Sequence, residues 1–486
     1  MILRRLSYVG VLVLAGCAIG PDYEEPEVPV PEAYREPVES GKSIANLRWW
    51  ELFQNDDLNE LIEVALENNK DLDIALARVE EVRARLGFVR ADQWPQLGGG
   101  AGAQRGNTIP GTQVPTGASV ENLYVLGASL SFEIDIWGKL RRATEAARAD
   151  LLATTETRNV VIITLVSDVA SVYLLLLDLD ERLVISARTV ETRLESLRII
   201  QARYDMGTVP LIDVNQAQVE LFDAEAELVS VERERQQAEN LLSVLIGQNP
   251  GPIIRNAPGN RKLFPPVIPV GLPSDLLARR PDVRQASQQL ASETAQIGVA
   301  MAQRLPSLSL TGLLGLASND LSELISSDNE AWNIGAQLAG PIFDAGKTKS
   351  QVEAQRARAQ AALANYELTV LRAFQEVEDS LVAIRTYRAE ALAREKQVEA
   401  ALSGAELSRA RYDGGVTSYL EVLESERSLF RAELTESATR REQLVSVVTL
   451  YKALGGGWIG EEEAAQMEAE NVIEANQPPE PAAQTQ

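Results

Sequence analysis

The sequence predicts a mainly α chain that carries a membrane β-barrel portion and is built as two equivalent halves. Three observations predict it. Residues 124–247 lie over residues 332–455 without a gap, at a constant offset of 208: Gly138-Lys139 falls on Gly346-Lys347, Ala202-Arg203-Tyr204-Asp205 on Ala410-Arg411-Tyr412-Asp413, and Gly207 on Gly415. Each half holds a 65-residue run, 139–203 and 347–411, in which Gly404 is the only glycine or proline; such a run makes about 100 Å of helix. Between Pro95 and Gly138, and again in the copy, the hydrophobic period changes from helical to 2.

Composition removes whole classes of function. The 486 residues include no histidine and one cysteine, and the net charge is −24. A histidine base, a Ser-His or Cys-His pair and a His/Cys zinc site are therefore absent. No disulfide can form within the chain, and so acidic a protein is a poor partner for nucleic acid.

The elements follow in chain order. Residues 1–16 read as a secretory signal: Arg4-Arg5, an apolar stretch from Leu6 to Leu14, then Ala15-Gly16 ahead of Cys17. Small residues directly before the single cysteine resemble a bacterial lipobox, so cleavage leaves Cys17 for acylation at the head of a lipidated segment, 17–57; the alternative is a plain signal peptide. Several acyl chains, at about 0.8 kcal/mol per buried methylene, make a firm anchor. The residue after Cys17 is Ala18, and by the same resemblance this favours the outer membrane.

The first repeat, 58–248, reads as a helix, strand–loop–strand over about 96–135, the long helix 139–203, a turn at 204–212 and a return helix 213–246. A Pro-rich connector, 249–273, leads to the second repeat, 274–457. That repeat has strand–loop–strand at about 307–342, the long helix 347–411, a turn at 412–420 and a return helix 421–454. Upstream of the strands the correspondence continues at an offset of 211, with Asp71 on Asp282 and Pro95 on Pro306. The unit far exceeds the roughly 20–50-residue periods of solenoids. Each return helix is half the length of its partner, so it is expected to stack end to end with the shorter helices near 58–94 and 282–304. Gly207 and Gly415 suit left-handed helix C-termini; Ser418, or Asp213 and Glu421, can support the next N-termini. Val160–Leu177 is apolar enough to suggest a membrane span, but its copy 368–385 carries Arg372, Glu376, Glu378 and Asp379. Both read as buried bundle helix. The tail, 458–486, is acidic and Pro-rich at its end, and is expected to be disordered.

In the strands, Tyr124, Leu126, Ala128, Leu130, Phe132 and Ile134 alternate with small or polar residues, as do Trp332, Ile334, Ala336 and Leu338. Strands of about ten residues with one apolar face suit a transmembrane barrel, with Tyr124 and Trp332 as interface anchors. The pattern alone also admits a half-buried sheet in a soluble domain. Four strands cannot close a membrane barrel, and an open edge in lipid is not viable. The barrel must be shared: eight strands from a dimer, twelve from a trimer. Gly340 to Gly346-Lys347-Thr348 nearly matches a phosphate loop, but the spacing is one residue too long and the copy lacks the Thr. The glycine is better explained as a strand-to-helix corner.

Gly20-Pro21-Asp22-Tyr23, Trp49-Trp50-Glu51-Leu52-Phe53, Asp57-Leu58-Asn59-Glu60-Leu61-Ile62, the run from Leu276 to Arg284 and Phe343-Asp344-Ala345-Gly346-Lys347, together with the repeat, resemble the TolC-like outer-membrane factors, specifically their efflux lipoprotein subfamily. The resemblance covers Cys17 to about Trp458. It implies a homotrimer with a 12-stranded β-barrel in the outer-membrane lipid, four strands per chain, continuing into a long periplasmic α-helical coiled-coil barrel. It implies an exit channel rather than an enzyme, with no cofactor beyond a covalent lipid on Cys17. The implied partners are a periplasmic adaptor and an inner-membrane, proton-driven transporter that exports drugs or other toxic compounds.

By the same resemblance the two Tyr-x-x-Gly turns form the periplasmic tip. Arg203, Tyr204, Gly207 and Thr208, with Arg411, Tyr412, Gly415 and Val416, are candidates for docking the adaptor; the alternative is that they only cap helices. Asp213, Glu421 and Glu424 fall where the family places inward-facing carboxylates, although family members often have Asp where Glu421 and Glu424 stand. Three copies would ring the constriction with negative charge and favour cations; the alternative is solvated surface acids. Two other classes stay open, a periplasmic coiled-coil scaffold and a paired-carboxylate enzyme such as a glycosidase.

Overall fold

The computed structural model describes residues 18–36, 48–106, 121–255, 276–277 and 279–456. The signal segment 1–16, Cys17, the tail 458–486 and most of the connector lie outside the described residues. Seven α-helices and four strands are described: α1 (Asp56–Asn68), α2 (Lys70–Ala91), β1 (Gln96–Gly106), β2 (Glu121–Ile134), α3 (Lys139–Asp205), α4 (Leu211–Leu245), α5 (Pro281–Ala302), β3 (Ser307–Ser318), β4 (Glu330–Ala339), α6 (Lys347–Asp413) and α7 (Tyr419–Ala453). The chain divides into two compact units.

One unit comprises Met1–Val28, Ala77–Glu156 and Arg284–Thr369 and holds an antiparallel sheet in the order β1-β2-β3-β4. The register explains the sequence alternation. Leu97 pairs with Leu130, Leu130 with Gly312 and Gly312 with Ile334; one row along, Gly99 pairs with Ala128, Ala128 with Leu314 and Leu314 with Trp332. Every apolar position predicted on β2 and β4 therefore shares one face, because residues i and i+2 point the same way. The opposite face carries rows such as Ser131, Thr311 and Gly335, and Glu133, Ser309 and Gln337. On the apolar face Trp332, Ile334 and Leu338 are exposed. Among the described residues both outer strands have an unpaired edge, as a shared barrel requires.

The other unit comprises Pro29–Leu76, Thr157–Val283 and Val370–Gln486. The two long helices α3 and α6 each run 67 residues and the two return helices 35 each. Average helices have about 11–12 residues, so lateral packing must stabilise these. Val166, Val169, Ala170, Tyr173, Leu174 and Leu176 of α3 are buried, and the most apolar window of that helix is 56% buried inside the chain. The apolar stretch thus serves as bundle core.

The short helices join the return helices through one polar side chain each. Buried Asn69 donates from Nδ2 to the Leu245 carbonyl at the end of α4, 2.8 Å, while its Oδ1 accepts the Leu72 amide in the first turn of α2, 3.0 Å. One carboxamide thereby satisfies a free carbonyl of one helix and a free amide of the next. At the equivalent joint, buried Arg280 donates to the Ala453 carbonyl at the end of α7, 2.7 Å, and forks onto Asp282 at 2.9 and 2.6 Å in the first turn of α5. Arg280 also reaches Glu376 of α6, 2.7 Å. Nearby, Trp49 stacks on Tyr451 with centroids 5.0 Å apart, and buried Asn55 caps α1 through the Leu58 amide while accepting from the Tyr173 hydroxyl.

Candidate functional site

The two turns at the ends of α3 and α6 are the same motif. Thr208 N donates to Arg203 O and Gly207 N to Tyr204 O; Val416 N donates to Arg411 O and Gly415 N to Tyr412 O, all between 2.8 and 3.0 Å. This is the Schellman pattern, six-to-one and five-to-two. Its left-handed position falls on Gly207, φ 74°, and on Gly415, φ 69°. The eight docking candidates are thus the residues whose backbones close the two helices. Ser418 stands at the N-cap of α7 without a side-chain capping bond; Asp213 and Glu421 lie in the first turns of α4 and α7.

The side chains of the two turns are used differently. Arg203 lies over the Tyr412 ring, 4.7 Å to the centroid, and pairs with Asp413 at 3.4 Å. Tyr412 packs against Tyr419, 5.4 Å between centroids, and borders a buried cluster of Ile200, Val214, Ala217, Tyr419, Val422 and Leu423. The first turn has no such cover: Tyr204 and Met206 are exposed. The inequality follows from the sequence, since the residue equivalent to Tyr419 is Leu211.

Among the described residues, two of the three candidate gate carboxylates have basic partners. Glu421 pairs with Arg411 at 3.3 Å and accepts from the Thr417 hydroxyl. Glu424 pairs with Arg427 at 3.7 Å. Asp213 is half-buried at the start of α4.

Sequence reasoning missed a buried charge cluster above the turns. Glu220 of α4 is held by Arg193 of α3 and Arg427 of α7. Arg193 also lies 5.2 Å over the Phe430 ring. Glu426 pairs with Arg409 at 3.5 Å, and Arg409 donates to Ser196 at 2.9 Å. Burial pushes the Glu426 carboxyl above the usual range, against the pull of Arg409 and Arg193. The signal that could have found this cluster lies in the repeat. Arg193, Glu220 and Arg427 face Ala401, Ser428 and Val219 in their copies, so a charge in one half stands where the other half has none.

The apparent phosphate loop is occupied by the chain itself. Asp344 accepts the Gly346 and Thr348 amides at 3.0 and 2.9 Å, and these bonds, those from Thr348 foremost, hold its carboxyl below the usual range. The amides that a phosphate would need cap α6. Near the other end of the chain, Cys17 lies outside the described residues, but the segment after it is fixed. Ile19 N donates to Trp137 O at 3.0 Å, Arg142 pairs with Asp22 at 2.6 Å, and the Tyr23 hydroxyl meets Ser287 at 2.8 Å.

Comparison with known proteins adds a family pattern. The model of the family described as outer membrane efflux protein matches residues 61–248 and 272–456. The chain is 35% identical to the toluene efflux pump outer membrane protein TtgI of Pseudomonas putida over 94% of its own length and 98% of that protein. It is 31% identical to SilC of Salmonella typhimurium, a probable outer membrane lipoprotein, over 94% of this chain and 99% of SilC. Among solved structures it is similar to the CmeC outer membrane channel of Campylobacter jejuni, with a TM-score of 0.84 and 28% identity, covering 93% of this chain and 98% of CmeC.

Proposed function

This chain belongs to the outer membrane efflux protein family, and we propose that its two helical turns form the gated, adaptor-binding end of an outer-membrane exit channel anchored by lipid on Cys17. The fold class is that of the trimeric TolC-like channels, with a shared β-barrel and a helical barrel, and the protein is an outer-membrane component of an efflux system. Passage rather than catalysis is the family's activity. Members form trimers within tripartite systems; the partners inferred for this chain are a periplasmic adaptor and an inner-membrane, proton-driven transporter.

The single observation that carries the gate reading is the pairing of charge at the turns. Glu421 is held by Arg411 and Glu424 by Arg427, and Arg203 ties the first turn to the second through Tyr412 and Asp413. The acids thus serve as latch and charge together. The exposed side chains of Tyr204, Met206 and Val416 give the adaptor a surface that helix capping does not consume, while the Thr208 hydroxyl donates to the Arg203 carbonyl at 2.8 Å. The channel with Glu421→Ala and Glu424→Ala takes from Arg411 its Glu421 partner and leaves Arg427 to Glu220. In planar bilayers it should conduct with altered unitary conductance and a weaker preference for cations; unchanged values in both would reject a gating role.

A further inference from the structure

The two return helices close in the same way. At the end of α4, Gly247 N donates to Val244 O and Gln248 N to Ser243 O, with Gly247 at φ 72°. At the end of α7, Gly455 N donates to Lys452 O and Gly456 N to Tyr451 O, with Gly455 at φ 71°. Both are Schellman closures, so the chain leaves each helix in the same direction. After α4 it is clasped back onto the helices. Gly251 N donates to the Ser243 hydroxyl at 3.3 Å. Beyond it Arg255 forks onto Asp180 of α3 at 2.5 and 2.7 Å and reaches Glu239 of α4 at 2.8 Å. The three side chains are 7, 9 and 10% exposed. A buried two-pronged guanidinium–carboxylate pair fixes both distance and angle.

The second half keeps the same seat and exchanges the charges. At the 208-residue offset Asp180 corresponds to Arg388, and Arg255 to Glu463, the third acid of Glu461-Glu462-Glu463. Arg388 is exposed on α6 and, among the described residues, has no ion-pair partner. Glu239 corresponds to buried Val447. Ser243 corresponds to Tyr451, which is fully buried and stacked on Trp49. Among the described residues the Tyr451 hydroxyl has no hydrogen-bond partner. A buried hydroxyl left unpaired is costly. In the first half the equivalent hydroxyl accepts an amide of the departing chain; a backbone group of the departing chain would satisfy Tyr451 too. Residues 457–463 lie outside the described residues, and Glu463 stands as far beyond Gly455 as Arg255 stands beyond Gly247.

We propose that the surface around Arg388 and Tyr451 receives the head of the acidic tail of the same chain, with Glu463 paired to Arg388 as a charge-exchanged copy of the Arg255–Asp180 clasp. The occupant is set by where the chain leaves α7, by its length from the closing glycine and by opposite charge. The copy is the weaker of the two, since a single pair at an exposed arginine replaces a buried fork onto two carboxylates, and salt loosens it. The clasp calls on neither the gate nor the adaptor.

The test uses the full-length protein in outer membranes, whose only native cysteine is Cys17. With Arg388→Cys and Glu463→Cys, a short bismaleimide should join the two positions within one chain. The linked peptide is found by mass, and the chain still runs as a monomer on denaturing gels. Arg388→Cys with Glu480→Cys is the reference for a tail that only sweeps past; it should link at least about tenfold more slowly, because a held pair has the higher effective concentration. Equal rates, or a link between chains, would overturn the clasp. Charge reversal reads the same contact without cysteines. In detergent, a glutamate-specific protease should cut the parent after Glu468 and Glu470 well before it cuts at Glu461 to Glu463. Arg388→Glu should make the inner site as fast as the outer one, and adding Glu463→Arg should restore protection at Glu461 and Glu462. Early cutting at the inner site of the parent, or no change on reversal, counts against the pairing.

Discussion

At the residue scale, Glu426 concentrates the electrostatics of the turn region. It lies among Arg409, Arg193 and Glu220, and burial outweighs the two arginines so that its carboxyl stays protonated to higher pH than usual. The sign of the consequence is fixed. The folded state binds this proton more tightly than the unfolded chain, whose value is about 4.3. Unfolding free energy therefore falls as pH rises through the window above that value. Glu426→Gln keeps the shape and removes the ionisation. The detergent-solubilised variant should melt higher than the parent at neutral pH, and the gap should close on acidification to about pH 4; equal midpoints at neutral pH would show that the arginines already offset the burial. Nothing in a single copy of the motif reveals such a residue, because an exposed and a buried Glu look alike in sequence.

At the element scale, the helix ends decide how the pieces join. Gly207 and Gly247 both close helices in the left-handed region, at φ 74° and 72°. An added Cβ at Gly207 would meet open space, whereas at Gly247 it would press into the Asn68 backbone. Gly207→Ala should cost only the conformational penalty, about 1 kcal/mol. Gly247→Ala should cost several times more, because the α1–α2 joint must move. Thermal midpoints of the two variants compare them, and equal losses would mean that the joint yields freely. End-to-end stacking was legible from helix lengths. The chemistry of the joints was not: Asn69 and Arg280 occupy equivalent positions and do the same work with different groups, so no shared motif announces them.

At the scale of the whole molecule, the sheet explains why one chain is incomplete. Its apolar face is continuous in register across four strands, and among the described residues its two edges lie open. The segment after Cys17 is pinned to the corner between β2 and α3 through Ile19 and Arg142. Cys17→Ser should abolish incorporation of labelled fatty acid and reduce the share of protein retained in outer-membrane fractions; persistent labelling would refute lipidation at this residue.

The sequence by itself determined the twofold repeat, the long helices, the alternating strands and the need for a shared barrel. Each of these rests on periodicity or on hydrogen-bond closure, and both can be counted along a chain. It also placed the eight turn residues, because a left-handed glycine and its flanking pattern recur at a constant offset. Only the tertiary structure decided which side chains meet: that Glu421 is held by Arg411, that Asp344 occupies the amides of the apparent phosphate loop, and that Arg193 and Glu220 are buried together with the half-exposed Arg427 closing on Glu220. Those contacts depend on where distant helices bring their faces. The repeat constrains that geometry without specifying it, since the two halves put different residues at equivalent points.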